Sequence, residues 1–236
     1  MTPEDLSTSD AAAVPARPAA TVVLLRDGAA GPEALLVRRN AQLAFHGGAW
    51  VFPGGRIDAA DGAAEDQHDA LPAARRAACR EAWEEAGVQI APESLVAFAR
   101  WVTPEGLPKR FDAWFFATRA GEDDVRVDGG EIHEHQWIRP PDALQAHRDG
   151  ALDLPPPTWV TLHQLSGYAT VAETLTAVAQ GPIEEFVPRI CMLPEGACSL
   201  YAGDVAYENG QVDDPGPRHR LWMLESGWRY ERRATE

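Results

Sequence analysis

The feature that most constrains this chain is a cluster of three glutamates, Glu81, Glu84 and Glu85, at the end of one predicted helix. The helix is predicted to begin at Asp69, which can cap its first turn, and to end before Gly87, a natural C-terminal stop. Residues three and four apart share a helix face, so the three carboxylates fall within an arc of about 100°. Carboxylates this close repel one another, and hard cations with oxygen ligands, Mg²⁺ or Mn²⁺, are their natural partners.

The residues around the cluster favour a binding site over the alternative, a solvated acidic helix end. A turn ending in Gly54-Gly55 precedes the helix, and glycines let backbone groups approach a ligand closely. Arg80 lies beside the glutamates and can orient one of them through a bidentate pair. On the other side of the helix, Cys79 and Trp83 are predicted to face the core. A short strand, a glycine-rich turn and an acidic helix are therefore predicted to meet at one site.

This arrangement resembles the signature box of the Nudix superfamily. The residues that match the box are Gly55 at its opening and Arg80, Glu81, Glu84, Glu85, Gly87 and Val88 in its second half. The family pattern leaves thirteen residues between the opening glycine and the arginine, whereas this chain has twenty-four. Eleven residues are therefore inserted, most simply within residues 56–69.

The insertion displaces the first glutamate of the family pattern, because Pro72 stands at its counted position. In the family, that glutamate supports the fold and the site more than it performs chemistry. Asp58, Asp61 and Glu65 are the available substitutes, and the sequence leaves the choice among them open.

The resemblance implies an α+β fold, a Nudix-type α/β/α sandwich with a mixed sheet, here followed by a C-terminal extension. It implies a pyrophosphohydrolase that cuts a phosphoanhydride bond in a nucleoside diphosphate linked to another group, X. Mg²⁺ is the implied cofactor, with Mn²⁺ as a substitute. Glu81, Glu84, Glu85 and the carbonyl of Gly55 are the implied metal ligands. The implied catalytic residues of the box are the same three glutamates and Arg80. Arg80 would hold the acidic cluster in place.

Groups outside the box are further candidates for the site. Many family members use an additional acid, for which Glu131 and Glu134 are available, and Glu134 is the first choice as a catalytic residue. Arg39 and Arg110 are predicted to contact the diphosphate of the substrate, against the alternative of surface salt bridges. Phe45 is predicted to bind the substrate by stacking on its base, against the alternative of core packing.

A second resemblance lies upstream of the box. Arg39-Asn40, Gly48 and Phe52-Pro53-Gly54-Gly55 keep the spacing of a motif in coenzyme A diphosphatases of the superfamily, although Ala44 stands where that motif has arginine. The resemblance makes coenzyme A or an acyl-CoA a candidate substrate, with 3′,5′-ADP and (acyl-)phosphopantetheine as products. The alternatives are a non-catalytic Nudix-fold nucleotide sensor or binding module, and an RNA-end hydrolase.

Composition narrows the set of partners. With 36 acidic and 21 basic residues the formal charge is −15, and no cluster of lysine and arginine offers a general grip on nucleic acid. The three cysteines, Cys79, Cys191 and Cys198, form no CxxC pair, which is typical of a protein from a reducing cytoplasm. No apolar run approaches the ~20 residues needed to span a bilayer. The partners considered are a small nucleotide and a second copy of the chain, in a homodimer.

The predicted elements divide the chain into three parts. Residues 1–18, rich in alanine and proline and without the apolar centre of a secretory signal, are predicted to be a disordered lead. Residues 19–150 are predicted to form the Nudix core, and residues 151–236 a helical and β extension packed on it. Strands and helices mix without regular βαβ alternation, which indicates an α+β layered sandwich. Strands are predicted at residues 21–26, 33–39, 50–52, 94–102, 111–118, 135–138 and 221–224, and further helices at 141–147, 158–168 and 170–179.

Overall fold

The computed structural model of the chain describes residues 14–42, 47–62, 70–121, 124–127 and 129–234. They form two compact units. The larger unit comprises Arg17–Arg100 and Ala113–Glu184, and the described part of the smaller unit comprises residues 14–16, 101–112 and 185–234. Phe45, Glu65, the predicted cap Asp69 and most of the predicted N-terminal lead lie outside the described residues.

The strands and helices follow one another in an order close to the prediction. The first part of the chain contains β1 (Arg17–Gly28), β2 (Gly31–Arg39), β3 (Trp50–Val51), β4 (Gly54–Arg56), α1 (Ala70–Ala86), β5 (Val96–Val102), β6 (Phe111–Arg119) and β7 (Ile132–Ile138). The second part contains α2 (Pro140–Arg148), α3 (Pro156–Leu165), α4 (Val171–Gln180), β8 (Glu184–Phe186), β9 (Arg189–Leu193), β10 (Gly196–Leu200), β11 (Arg218–Leu224) and β12 (Gly227–Arg233). Within the described ranges, no helix is long and apolar enough to cross a membrane.

The larger unit is built on a mixed sheet. β1 and β2 form an antiparallel hairpin with Leu25 opposite Ala34, and β3-β2-β1-β6-β5 are neighbours in that order. β4 pairs with β1, and β7 pairs with β2. Residues 22–25 of β1 are fully buried, so both faces of this central strand are covered. The large mixed sheet and its helices confirm the predicted α+β class.

The core between α1 and the sheet is lined with alanine. The fully buried residues of α1 are Ala74, Ala77, Ala78, Ala82 and Ala86. Side chains this small let the helix lie close to β1, and the core is filled from the strand side by larger groups such as Val22 and Leu24. Cys79 packs partly against this core, but the prediction for Trp83 is wrong because 54% of that residue is exposed.

Within the larger unit, the largest differences from the predicted strands concern β1, β4 and β7, and each follows from a partner strand. β1 begins before the predicted Thr21 because Ala19 and Ala20 pair with β4. β4 itself occupies residues that were predicted as a turn. β7 begins at Ile132, earlier than predicted, because it follows β2 across a bulge. Backbone pairing stabilises these segments without the apolar alternation by which a strand is recognised in a sequence.

The smaller unit contains a four-stranded antiparallel sheet in the order β12-β11-β10-β9. The sequence indicated only the region of β11. An aromatic cluster belongs to this unit, in which the rings of Trp101 and Phe186 stack with centroids 3.9 Å apart and Tyr201 meets both edge-on. The unit also contains a fully buried ion pair between Asp204 and Arg220.

Candidate active site

Two carboxylates of α1 lie against the glycine-rich strand β4. The backbone N–H of Gly54 donates a hydrogen bond of 2.9 Å to Oε2 of Glu85. A Cβ atom on Gly55 would overlap the carboxylate of Glu81, and one on Gly54 would lie 2.5 Å from the carbonyl oxygen of Ala20. Both positions therefore require glycine, because a larger residue would force β4 away from the glutamates or from β1. The structure thus brings Gly55, Glu81 and Glu85 together.

The surroundings of these two glutamates disfavour their negative charge. Only 5% of Glu85 is exposed, and burial raises its pKa to about 8, against the opposing effect of the Gly54 N–H. Burial also raises the pKa of Glu81 against the opposing effect of Arg80, and the nearby charges of Glu84 and Glu131 add to that rise. A divalent cation beside the two carboxylates would offset both the desolvation and the mutual repulsion.

The oxygen donors at this site fit a hard divalent cation. Glu81 and Glu85 could hold the cation together with the backbone carbonyl of Gly55, which adjoins Glu81. The Glu84 side chain is more than half exposed and forms an ion pair of 2.9 Å with Arg80. Within the described residues, no three carboxylate, imidazole or thiol groups converge closely enough to hold a metal ion as they stand. As placed, Glu84 therefore does not complete a three-carboxylate site with Glu81 and Glu85, and only one of its two oxygens contacts Arg80.

Arg80 places all five of its N–H groups on acceptors around the site. Its Nη1 donates to Oε1 of Glu81 at 2.8 Å and to Oε2 of Glu84 at 2.9 Å. Its Nε and Nη2 donate to the two carboxylate oxygens of Asp61 at 3.1 and 2.9 Å. Nη2 also donates to the carbonyl of Arg56 at 2.9 Å. The hydrogen bonds to Asp61 contribute most to raising the pKa of Arg80, so its charge is permanent.

Asp61 contacts Arg80 directly, whereas the nearest oxygen of Asp58 lies 4.0 Å from it. These were two of the three acids open as substitutes for the displaced glutamate. Burial alone would raise the pKa of Asp61, but the hydrogen bonds from Arg80 and from the Asp58 N–H lower it overall. The sequence signal for this contact was the Asp58-x-x-Asp61 pattern, since the Asp58 N–H donates to Oδ2 of Asp61 at 2.8 Å, as in a capped turn.

The two acids considered outside the box lie in different places. Glu134 pairs with Arg38 at 3.0 Å, and strand alternation puts both on the sheet face opposite Val37, which packs toward α1. Glu131 pairs with Arg39 at 2.6 Å, and its charge raises the pKa of both buried glutamates of α1. The structure thus brings Glu131, and not Glu134, to the carboxylate cluster.

The residues predicted to bind substrate have different surroundings. The charge of Arg39 lowers the pKa of Glu85, and its Nε is buried with no hydrogen-bond partner in the part of the chain that the structure describes. Arg110 belongs to the smaller unit, where its guanidinium donates to three backbone carbonyls at 2.9–3.1 Å. Phe45 lies outside the described residues.

Comparison with known proteins agrees with this geometry. The family model of the NUDIX domain matches residues 15–159. The crystal structure of a NUDIX hydrolase from Alicyclobacillus acidocaldarius is 28% identical and superposes with a TM-score of 0.62, covering 71% of this chain and 99% of that chain.

Curated relatives match over a shorter stretch. Acyl-coenzyme A diphosphatase NUDT19 of Homo sapiens is 28% identical over 121 residues, which are 48% of this chain and 32% of that protein. Its Xenopus laevis counterpart is 25% identical over 122 residues, again 48% of this chain and 32% of that protein. The chain therefore spans about a third of the length of these two relatives.

The residues matched by the family model include every element of the carboxylate site, from β4 through α1 to β7. Nudix hydrolases generally use divalent metals and act on small nucleotides. This agrees with the oxygen donors that α1 and β4 present. The prediction of a Nudix hydrolase is thus confirmed, and the chain belongs to the Nudix family.

Proposed function

We propose that this chain hydrolyses a phosphoanhydride bond in a nucleoside diphosphate linked to another group, with Mg²⁺ as cofactor. The observation that carries the proposal is the pair of carboxylates, Glu81 and Glu85, held against the glycine-rich strand β4. Burial raises the pKa of Glu85 to about 8, so its carboxylate is fully ionised at neutral pH only with a cation beside it, and burial shifts the pKa of Glu81 in the same direction. Mg²⁺, when bound, would neutralise charge on the diphosphate and promote ionisation of the attacking water.

The residues of the chain have separate tasks in this proposal. Glu81 and Glu85 bind the cation together with the carbonyl of Gly55, and Glu84 is the third acid available to it. The N–H of Gly54 fixes the orientation of Glu85 through its hydrogen bond. Arg80 contacts Glu81 and Glu84 with the same nitrogen atom, which sets the distance between these two carboxylates.

Glu131 is the acid outside the box that we propose as the proton acceptor. Its side chain is about half exposed, so water and substrate can reach it, and its charge acts on both buried glutamates. Arg39 pairs with Glu131, and its charge acts on Glu85, so its guanidinium is the group that we propose to contact a phosphate oxygen of the substrate. Glu134, the first choice from the sequence, is the alternative, and replacing each acid separately decides between them.

For the group X, we propose coenzyme A or an acyl-CoA. The support is the upstream motif around Arg39 and Gly48, and the similarity to a relative named acyl-coenzyme A diphosphatase. The products would be 3′,5′-ADP and (acyl-)phosphopantetheine. A different nucleoside diphosphate substrate would require the same carboxylates, so the two parts of the proposal are tested separately.

A hydrolysis screen, with products identified by mass, tests the proposal. Coenzyme A, acyl-CoAs, ADP-ribose, NADH, diadenosine polyphosphates, nucleoside triphosphates and capped RNA are each compared with and without Mg²⁺. The Glu85→Gln protein is expected to lose roughly 100-fold or more in turnover, because a metal ligand is removed. Glu93→Gln is the matched control, since Glu93 is an exposed acid of the same unit just beyond α1.

Each outcome of the screen selects one function. Full turnover by the Glu85→Gln protein would refute the metal assignment. Cleavage of another phosphoanhydride in preference to coenzyme A would keep the hydrolase and remove the proposed X. A nucleotide that binds tightly with Mg²⁺ but is never cleaved would favour the nucleotide sensor, and cleavage of capped RNA would favour the RNA-end hydrolase.

A further inference from the structure

The guanidinium of Arg80 is shared between two groups of acids. One edge, Nε and Nη2, forms a bidentate pair with the carboxylate of Asp61, and the opposite nitrogen, Nη1, contacts Glu81 and Glu84. A planar guanidinium has a fixed fork geometry, so a bidentate pair on one edge fixes the direction of the other nitrogen. The position of Nη1 between the two glutamates is therefore set from the Asp61 side.

Asp61 is itself held firmly by the turn that carries it. Only 4% of the residue is exposed. The Asp58 N–H donates to its carboxylate at 2.8 Å, and its own N–H donates to the carbonyl of Asp58 at 2.9 Å. Arg76, one helical turn before Arg80, donates to the backbone carbonyl of Asp61 at 2.6 Å and of Gly62 at 3.5 Å. Two arginines of α1 thus fasten this turn, which lies in the inserted region, to the helix.

We propose that Asp61 is a positioning residue that holds Arg80 in the orientation in which Glu81 and Glu84 remain available to the catalytic cation. This inference rests on the proposed function, and it assigns to the inserted turn the role left open by the displaced glutamate of the box. Without the Asp61 carboxylate, two N–H groups of Arg80 lose their acceptors, and the nearest remaining carboxylates are those of Glu81 and Glu84. Only Nη1 contacts these two carboxylates now. A guanidinium released from Asp61 can donate its other N–H groups to them as well, and it then competes with the metal for the remaining carboxylate oxygens.

The test compares two charge-matched variants of the full chain. Asp61→Asn removes the charge and puts an amide N–H₂ opposite a donor of Arg80, which breaks the bidentate pair. Asp58→Asn removes the same charge from the same turn, where the carboxylate pairs with Arg56 at 3.2 Å and reaches Arg80 only at 4.0 Å. Mn²⁺ binding without substrate, measured from the free-ion signal by electron paramagnetic resonance, is the first readout. The second is the Mg²⁺ concentration needed for half-maximal turnover.

We expect Asp61→Asn to weaken Mn²⁺ binding by about tenfold or more. The Mg²⁺ concentration needed for half-maximal turnover by Asp61→Asn should rise in parallel, while its KM for substrate at saturating Mg²⁺ should stay unchanged. The Asp58→Asn protein should bind Mn²⁺ as tightly as the unmodified protein. In an Arg80→Lys background, the exchange of Asp61 should have no further effect, because the residue acts through Arg80. Asp61→Glu keeps the carboxylate, so its affinity for Mn²⁺ should lie nearer to that of the unmodified protein, even if Asp61→Asn folds poorly.

Equal Mn²⁺ affinity in the Asp61→Asn and Asp58→Asn proteins would overturn the inference, and so would a loss that persists in the Arg80→Lys background. Either result is distinguishable from failure of the proposed function. If the proposed function failed, the unmodified protein itself would neither bind Mn²⁺ nor cleave any phosphoanhydride, and the inference would fail with the function.

Discussion

Replacing Asp204 by asparagine is expected to destabilise the protein by about 3–5 kcal/mol, because it leaves the buried charge of Arg220 without a counter-ion. The carboxylate accepts from Nε and Nη2 of Arg220 at 2.7 and 2.5 Å, and from the backbone N–H groups of His219 and Ala206 at 2.8 and 2.9 Å. Arg220 is fully buried. An amide N–H₂ in place of either oxygen faces two of these donors, so the loss includes unmade hydrogen bonds as well as charge.

The matched control is the exposed ion pair of the same unit, Arg189 with Glu208 at 2.8 Å. Glu208→Gln should change stability by at most about 1 kcal/mol, because water screens an exposed pair. Urea unfolding followed by tryptophan fluorescence compares the two proteins, and Trp222, whose ring lies 5.2 Å from the Arg220 guanidinium, reports on this region. Equal unfolding midpoints for the two variants would refute the reasoning.

The same pair predicts how stability depends on pH. Burial alone would raise the pKa of Asp204, but the hydrogen bonds from Arg220 and from the backbone hold it below its ordinary value of 3.8. Because the folded-state pKa is the lower one, the stabilisation is complete above about pH 4–5 and is lost as the pH falls through the folded-state value. The Asp204→Asn protein should show a smaller loss of stability over that acid range, and an identical loss would contradict this prediction.

Three further predictions concern the larger unit. Glu131→Gln is expected to lower kcat by about 100-fold, whereas Glu134→Gln should leave kcat unchanged, and steady-state kinetics of both would reveal the reverse order if the assignment is wrong. Gly55→Ala is expected to raise the Mg²⁺ concentration for half-maximal activity by roughly tenfold, because the added methyl group displaces the Glu81 carboxylate; an unchanged Mg²⁺ titration would argue against the close approach. Trp83→Gln is expected to change stability by about 0.5 kcal/mol or less, since the residue is largely exposed, and thermal unfolding that shows a larger loss would indicate that its ring packs in the core.

The helix that carries the carboxylates was predictable because its signals are local. Pro72 lies in its first turn, where proline is tolerated, and Gly87 directly follows its last residue. Gly87 adopts φ 67°, in the left-handed region that ends many helices, and its N–H donates to the carbonyl of Trp83 at 2.9 Å. The spacing of the three glutamates then fixes a common face without any knowledge of the rest of the fold.

Contacts between distant segments were not predictable in the same way. Arg80 and Asp61 are separated by 19 positions, and only the fold of the turn at residues 58–62 distinguishes Asp61 from the neighbouring Asp58. Glu131 and Glu134 are similar in sequence context, but Glu134 lies within β7, where it pairs across the sheet with Arg38, whereas Glu131 precedes the strand and pairs with Arg39. A sequence identifies the chemical groups that are available, but the direction of each side chain depends on partners elsewhere in the chain.

The exposure of Trp83 has a different cause. A large aromatic residue on a helix is usually buried, and this expectation led to the wrong prediction. The face of α1 that packs toward β1 is instead lined with fully buried alanines. Residue size, and not hydrophobicity alone, selected the face that is buried.

The bidentate ion pair between Asp61 and Arg80 has a consequence for how such a chain can evolve. The guanidinium requires a carboxylate at one point in space, and it does not require that carboxylate at one position in the sequence. A lineage can therefore lengthen or shorten the segment before the helix, provided that some turn returns an acid to the same point. Selection then acts on a few anchoring residues, while the remainder of the insertion is free to diverge and to acquire new roles under no constraint from the catalytic helix.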